Sequence, residues 1–325
     1  MSGWFSQNRA RNLLALLVLL AVAAFLAFGP TQTVLDKATR YLITRKDVIL
    51  SEHTAISVFG MAVVLGLEVV FLGWRQSSLY RLLHPTHSTV VDIVCYLLAL
   101  CGLSGVGILI FSLGLADLVI KLVDPWLPHG LLAVKNPLLQ LVWFLVAVDF
   151  VKYWIHFLQH KWKAWWELHK FHHAAEEFNA ITTARDHPTD DATLAVALLI
   201  PLALLGGTAD QFLLLSVLLA MHSGLTHSML PWNFGWLGRW VLVSPITHRI
   251  HHSDLPEQFD KNFGMIFIIW DRIFGTYYDG NLINPTVNVA DNPYNRHNIV
   301  WDYLECPKRF LLALVGRKPA VPPAE

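Results

Sequence analysis

Thiols and charge are both scarce in this chain. Its three cysteines, Cys95, Cys101 and Cys306, are an odd number without a C-x-x-C spacing, which argues against a disulfide framework or a thiolate zinc site. Only 15% of the 325 residues are charged, where an ordinary soluble domain has about 25%. Twenty-four basic and twenty-four acidic side chains cancel, so no bulk charge draws the chain to nucleic acid, and no such partner is expected. There is no G-x-G-x-x-G and no haem or iron-sulfur cysteine pattern, hence no visible redox domain of its own. Ser/Gly linkers, charge runs and repeat periods are also missing, and strand-like alternation is rare.

What fills the chain instead is apolar sequence: 54% of residues are hydrophobic and the mean hydropathy is +0.46, the composition of an integral membrane protein. A membrane-crossing helix needs roughly 20 apolar residues. Four runs qualify, at about 12–29, 56–74, 90–120 and 137–158. Arg9 and Arg11 before the first run suggest a cytoplasmic N-terminus, although Lys37, Arg40, Arg45 and Lys46 after it weaken that orientation. The first run is longer than a signal-peptide core and no small-residue cleavage site follows it, so it reads as an uncleaved anchor. A fifth run, 192–221, is too short for two full crossings. Pro201 and the pair Gly206-Gly207 would interrupt a straight helix there, and a re-entrant hairpin is expected. The fold class expected is all-α: a multi-pass membrane protein with about four transmembrane helices, a re-entrant helical hairpin and a histidine-rich metal domain on the cytoplasmic face.

Eleven of the sixteen histidines fall between 156 and 252. His156 and His160 are four residues apart at the end of an apolar run, on one helix face. The segments 169-HKFHHAAEE-177 and 248-HRIHHSDLP-256 each carry H-x-x-H-H, which presents two or three imidazoles to one cavity. Both boxes flank 192–221, and a single crossing would part them. Neutral imidazole suits iron, zinc, copper and nickel. A closed zinc site takes four ligands and a catalytic one three, so eight or more histidines suggest two metals, with iron favoured and zinc competing. A lone histidine at a membrane border is more often hydrogen-bonded than ligating, and His53, His84, His87, His129 and His297 are read that way.

The order H-x3-H at 156–160, H-x2-H-H at 169–173 and H-x2-H-H at 248–252 resembles the fatty acid hydroxylase and sterol desaturase superfamily of membrane di-iron enzymes. The stretch 244-SPITHRIHHSDLPEQFDKNFGMIFIIWDRIFGTYY-278 is similar to that family's last box and the N-F-G and W-D-R-x-F-G-T segments after it. The likeness covers about 145–280. It implies metal ligands at His156, His160, His169, His172, His173, His248, His251 and His252, and at the isolated His187 and His227, with His222 a further candidate. Two departures stand out: some members have x4 in the first box, and many carry Asn where this chain has Met229. Asp186, Asp190 and Asp191 are read either as carboxylates behind the ligands or as helix caps. Trp270–Gly275 is read as a turn that docks the tail, and Trp154, Trp162, Trp165 and Trp166 as an interfacial belt at the mouth of the site.

Three regions are expected: a transmembrane part at 1–135 and a polar cytoplasmic tail at 281–325, read from hydropathy and polarity, and between them, at 136–280, the di-metal catalytic domain that the resemblance implies. The resemblance also implies two Fe ions, O2 as co-substrate, and hydroxylation of a fatty acyl, sterol, sphingolipid or related amphiphile drawn from the bilayer. Desaturation on the same site is the alternative, and metal-assisted hydrolysis or isomerisation a third chemistry. With no redox domain, an external electron donor is implied, a ferredoxin or a cytochrome with its reductase. A histidine-rich metal transporter is the alternative of another class, but transporters hold ligands near the bilayer midplane, and these histidines sit at helix ends.

Overall fold

The computed structural model describes residues 52–101, 103, 115–206, 209–280, 283, 286–296, 299–317 and 319. The described residues form twelve α-helices and no strand; the sheet-like pairings are the isolated bridges Leu242–Phe267 and Ser253–Val287. The helices are α1 (Glu52–Leu72), α2 (Ser78–Leu83), α3 (His87–Leu100), α4 (Leu115–Val123), α5 (Pro137–Lys161), α6 (Lys163–His173), α7 (Pro188–Leu205), α8 (Ala209–Thr226), α9 (Gly235–Trp240), α10 (Pro245–His251), α11 (Ile269–Phe274) and α12 (Ile299–Leu314). Three described stretches are long and apolar enough to cross a membrane: Thr54–Leu72, Pro137–Lys161 and Pro188–Leu205. The anchor expected at 12–29 and the middle of the run at 90–120 lie outside the described residues.

Helix α5 organises the rest. The Asn136 side chain caps its start by accepting from the Leu138 and Leu139 amides, and Pro137 occupies the first turn, where no amide donor is needed. Its buried residues, Gln140, Phe144, Val148, Asp149, Tyr153, His156 and Gln159, recur every three or four positions and so form one face. Phe144 and Val148 pack with Leu205. At the start of the helix, Gln140 Nε2 donates to the Leu205 and Gly206 carbonyls, both at 2.8 Å. The C-terminal end of α7 therefore lies beside the N-terminal end of α5, and the two helices run antiparallel.

The 192–221 segment does turn back on itself, but its arms are longer than expected. Each is 18 residues, because the polar flanks 188–191 and 222–226 join the apolar helices. Pro201 is accommodated inside α7, and the break falls at Gly206, whose φ of 60° favours glycine. A Cβ there would also stand 3.3 Å from the Gly130 Cα.

The stretch read as a polar tail also folds differently. Helix α12 packs on α6, burying Asp302, Cys306 and Arg309. Arg309 Nε donates to Glu167 Oε2 at 2.7 Å in a buried pair, and Cys306 Sγ donates to the Tyr294 hydroxyl. The amphipathic pattern of 299–314 thus covers the back of the second histidine box. A second buried ion pair fixes the loop that follows that box. Arg185, fully buried, donates to Asp92 of α3 at 2.7 Å, and Asp92 also accepts from Asn179 and Thr182. Removing one partner of such a pair costs about 3–5 kcal/mol, because the other charge is left uncompensated.

This topology returns the chain to the face it left. Single cysteines introduced at the exposed Glu176 and Glu257 should react with an impermeant maleimide from the same side of the membrane. Reaction from opposite sides would rule out the returning hairpin.

Candidate metal centre

The histidine boxes sit on the C-terminal end of α5 and on two short helices, α6 and α10, gathered there. His156 and His160 come from the last two turns of α5, His169, His172 and His173 from α6, and His248 and His251 from α10, with His252 as its C-cap. Helix α10 is only seven residues long and begins with a capping box between Ser244 and Thr247, with Pro245 in its first turn. His227 follows the end of α8.

These nine side chains form two groups. His156, His160, His169, His173 and His251 make one, and His172, His227, His248 and His252 the other; within each group the nitrogens lie within 4.8 Å of one another. All nine are buried except His160, which is partly so. Five of them turn an outward nitrogen to a protein acceptor. His156 Nδ1 meets the Phe263 carbonyl at 2.9 Å, His251 Nδ1 that of Lys261 at 2.8 Å and His227 Nδ1 that of Ser223 at 2.8 Å. His169 Nδ1 is 3.3 Å from Asp190 Oδ2, and His172 Nδ1 is 3.1 Å from Asp186 Oδ1. With the proton on that outer nitrogen, the inner Nε2 of each of these five carries a lone pair.

The inner nitrogens point at one another. His160 Nε2 lies 3.1 Å from His173 Nε2, and His227 Nε2 lies 3.1 Å from His248 Nε2 and 3.4 Å from His172 Nε2. The inner nitrogens of His156, His169 and His251 have no hydrogen-bond partner at all. Burial pushes the imidazoles of His169, His173, His248, His251 and His252 well below their ordinary range, and that of His227 to about 3. Protons are thus kept off, and facing lone pairs without a proton between them repel. A cation shared by the group relieves that repulsion. Two nitrogens each about 2.1 Å from one ion, at right angles, would be about 3 Å apart, close to the separations seen. The donor set fits metal, and it is all imidazole.

Residues 141–276 match the model of the fatty acid hydroxylase family, an interval that contains all nine histidines. The domain belongs to the fatty acid hydroxylase and sterol desaturase superfamily. Among curated relatives of the hydroxylase domain, an alkylglycerol monooxygenase from Caenorhabditis elegans is 30% identical over 50% of this chain and 33% of its own length. An ornithine lipid hydroxylase from Rhizobium tropici is 32% identical over 43% of this chain and 42% of its own. A Delta(7)-sterol 5(6)-desaturase from Gibberella zeae is 27% identical over 41% of this chain and 36% of its own. The chain therefore spans less than half the length of these relatives. No solved structure matches it.

Two of the expected ligands stand apart from both groups of the hydroxylase domain. His187 is the N-cap of α7: its Nδ1 accepts from the Thr189 amide and faces the Thr189 hydroxyl at 2.7 Å, while Nε2 lies 3.0 Å from the Tyr303 carbonyl. Both nitrogens are engaged, so the ring locks the loop to α12 rather than offering a lone pair. His222 places Nε2 3.1 Å from the Val243 carbonyl, which steadies the chain leading into the third box. Among the histidines read as bystanders, His84 and His129 bond to the Tyr80 and Asp124 carbonyls, and His297 lies outside the described residues. Of the aspartates, Asp186 and Asp190 face His172 and His169, whereas Asp191 faces neither.

The segment Trp270–Gly275 secures the third box, not the tail. Asp271 accepts from the Phe263 and Gly264 amides and from the Thr276 hydroxyl. Asp149 of α5 accepts from the Ile266 and Phe267 amides and from Trp270 Nε1. The two carboxylates pin the very loop whose Lys261 and Phe263 carbonyls orient His251 and His156. A Cβ on Gly264 would come within 2.6 Å of the Phe267 carbonyl oxygen and 2.9 Å of Asp271, which explains the glycine in N-F-G. Asp149 was readable in sequence as a charge inside an apolar run, seven residues before His156 and on its face. The tryptophans do not form one belt: Trp166 lies against His160 and His173, Trp154 packs on Phe274, and Trp162 is exposed.

Metal analysis of purified variants checks the two groups. His251→Ala and His172→Ala should each lose metal, whereas His187→Ala and His222→Ala should keep the wild-type content. Full occupancy in His251→Ala would refute the first group. Gly264→Ala, which shifts the orienting carbonyls, should weaken metal affinity by roughly 10–100-fold.

Proposed function

We propose that the protein is a membrane-bound, oxygen-dependent lipid hydroxylase whose nine histidines hold two iron ions. The observation that carries this reading is the convergence of inner imidazole nitrogens in two adjacent groups, His156, His160, His169, His173 and His251 beside His172, His227, His248 and His252. Bound iron would supply the reductive activation of O2 and the oxidising power to take hydrogen from an unactivated C–H bond. The chain's own residues do the rest. Backbone carbonyls and Asp186 and Asp190 keep the outer nitrogens protonated and the rings oriented. The aromatic residues Phe178 and Phe263, both buried against the histidines, limit water at the site.

Access from the polar side is through a cavity of about 270 Å³ lined by Trp166, Lys170, Phe259 and Asp260 above His160, His173 and His251. Small co-reactants can reach the first group there, and the lipid would enter from the bilayer. Electrons would come from a separate ferredoxin, or from a cytochrome with its reductase. We place this face of the molecule in the cytoplasm. The names of two relatives, an alkylglycerol monooxygenase and an ornithine lipid hydroxylase, support hydroxylation of a lipid. The likeness to a sterol desaturase favours desaturation as the second reading.

Membranes containing the protein, given reductant and 18O2, should yield a lipid carrying one labelled oxygen atom. A product two hydrogens lighter and without label would move the assignment to desaturation. Oxygen derived from water, or turnover without O2 and reductant, would end the oxygenase reading.

A further inference from the structure

The two histidine groups differ in what lies outside them. The polar-side cavity is lined by His160, His173 and His251, three members of the five-histidine group, and by no histidine of the other group. Of the nine rings only that of His160 is not fully buried. It stands in the last turn of α5, lines the cavity, and holds Nε2 3.1 Å from His173 Nε2. One ring therefore faces both the cavity and the converging nitrogens.

That ring is also loosely held. The outer nitrogens of His156, His169 and His251 meet the Phe263 carbonyl, Asp190 and the Lys261 carbonyl at 2.9, 3.3 and 2.8 Å. His160 Nδ1 is 3.7 Å from Asp260 Oδ1, beyond hydrogen-bond reach, and the other oxygen of Asp260 is taken by Lys161 at 2.7 Å. What remains against His160 on the cavity side is Trp166, with ring centroids 4.8 Å apart.

The four-histidine group is closed by comparison. His172, His227, His248 and His252 are 7%, 1%, 3% and 1% exposed. Buried Phe178 lies against three of them, its ring centroid 5.2 Å from His227, 6.2 Å from His248 and 5.0 Å from His252. Nδ1 of His248 and of His252 also lacks a hydrogen-bond partner among the described residues, but neither ring lines the cavity, so a turn of either leads against Phe178 and neighbouring imidazoles. Asp186, whose side chain is 37% accessible, stands at the outer Nδ1 of His172, on the far side of that ring from its converging Nε2.

We infer that the five-histidine site loads and releases its metal through the polar-side cavity, with His160 as the ligand that swings, whereas the four-histidine site exchanges only when the surrounding helices part. This rests on the two-metal reading above. Rotation of a partly exposed side chain is fast, while parting buried packing requires local unfolding. The outer partner that His160 lacks is worth about 10–100-fold in metal affinity. The protein thus holds one exchangeable and one locked metal, and a foreign divalent ion replaces iron first in the five-histidine site.

Chelation kinetics test this on the full chain in phosphatidylcholine nanodiscs, loaded with Fe(II) without oxygen. Excess bathophenanthroline disulfonate, a water-soluble chelator, is added and the released iron is followed by absorbance. Two phases of equal amplitude are expected, with rates at least about tenfold apart. The iron left in His172→Ala should leave in the fast phase, and that left in His251→Ala in the slow one. Ala290→Trp, at an exposed position of the cavity wall, should slow the fast phase severalfold, and Trp166→Ala, which frees the His160 ring, should speed it. Both should leave the slow phase unchanged, whereas a merely structural defect would move both phases. Release in a single phase, fast release from His251→Ala, or a fast rate unmoved by both cavity variants would overturn the inference. Iron content before chelator is added reports separately on the two-metal reading: fewer than two irons per wild-type chain would defeat that reading and the inference with it.

Discussion

Nine imidazoles pressed together in the protein interior are the constraint to which the rest of the molecule responds. Their inner nitrogens converge, and several lie about 3 Å from another. Cations among the nitrogens would relieve the repulsion between facing lone pairs, since burial and mutual repulsion oppose protonation. The surrounding protein holds the rings in place against that repulsion. It does so from outside, with carbonyls and carboxylates on the outer nitrogens.

That requirement explains features that otherwise look unrelated. The loop at 261–278 must present two carbonyls at fixed positions, so Asp149 and Asp271 collect its amides and Gly264 makes the close approach to Phe267. The second box must not shift along α5, so α12 is locked onto its back through Arg309 and Glu167. Arg185 and Asp92 do the same for the loop toward α7. Buried ion pairs contribute little net stability on average but cost much to break, which suits them to fixing geometry.

Much of this was legible in the sequence because histidine spacing survives folding: H-x3-H and H-x2-H-H share a helix face in any α-helix, and eight box histidines are brought together with His227. The hairpin was legible in its return but not in its length, since polar residues at 188–191 and 222–226 gave no apolar signal and yet extend the helices. His187 looked like a ligand because R-D-H-P resembles an isolated family position; its capping bond to Thr189 depends on where α7 begins. The tail was misread because its Pro residues and charges hide the amphipathic face of 299–314.

X-ray absorption at the iron edge, combined with metal quantification on the purified full chain, tests the two-centre assignment most directly. The account predicts two irons per chain, a first shell of nitrogen and oxygen only, and outer-shell scattering from several imidazole rings. A single zinc per chain with no iron, or sulfur in the first shell, would contradict it.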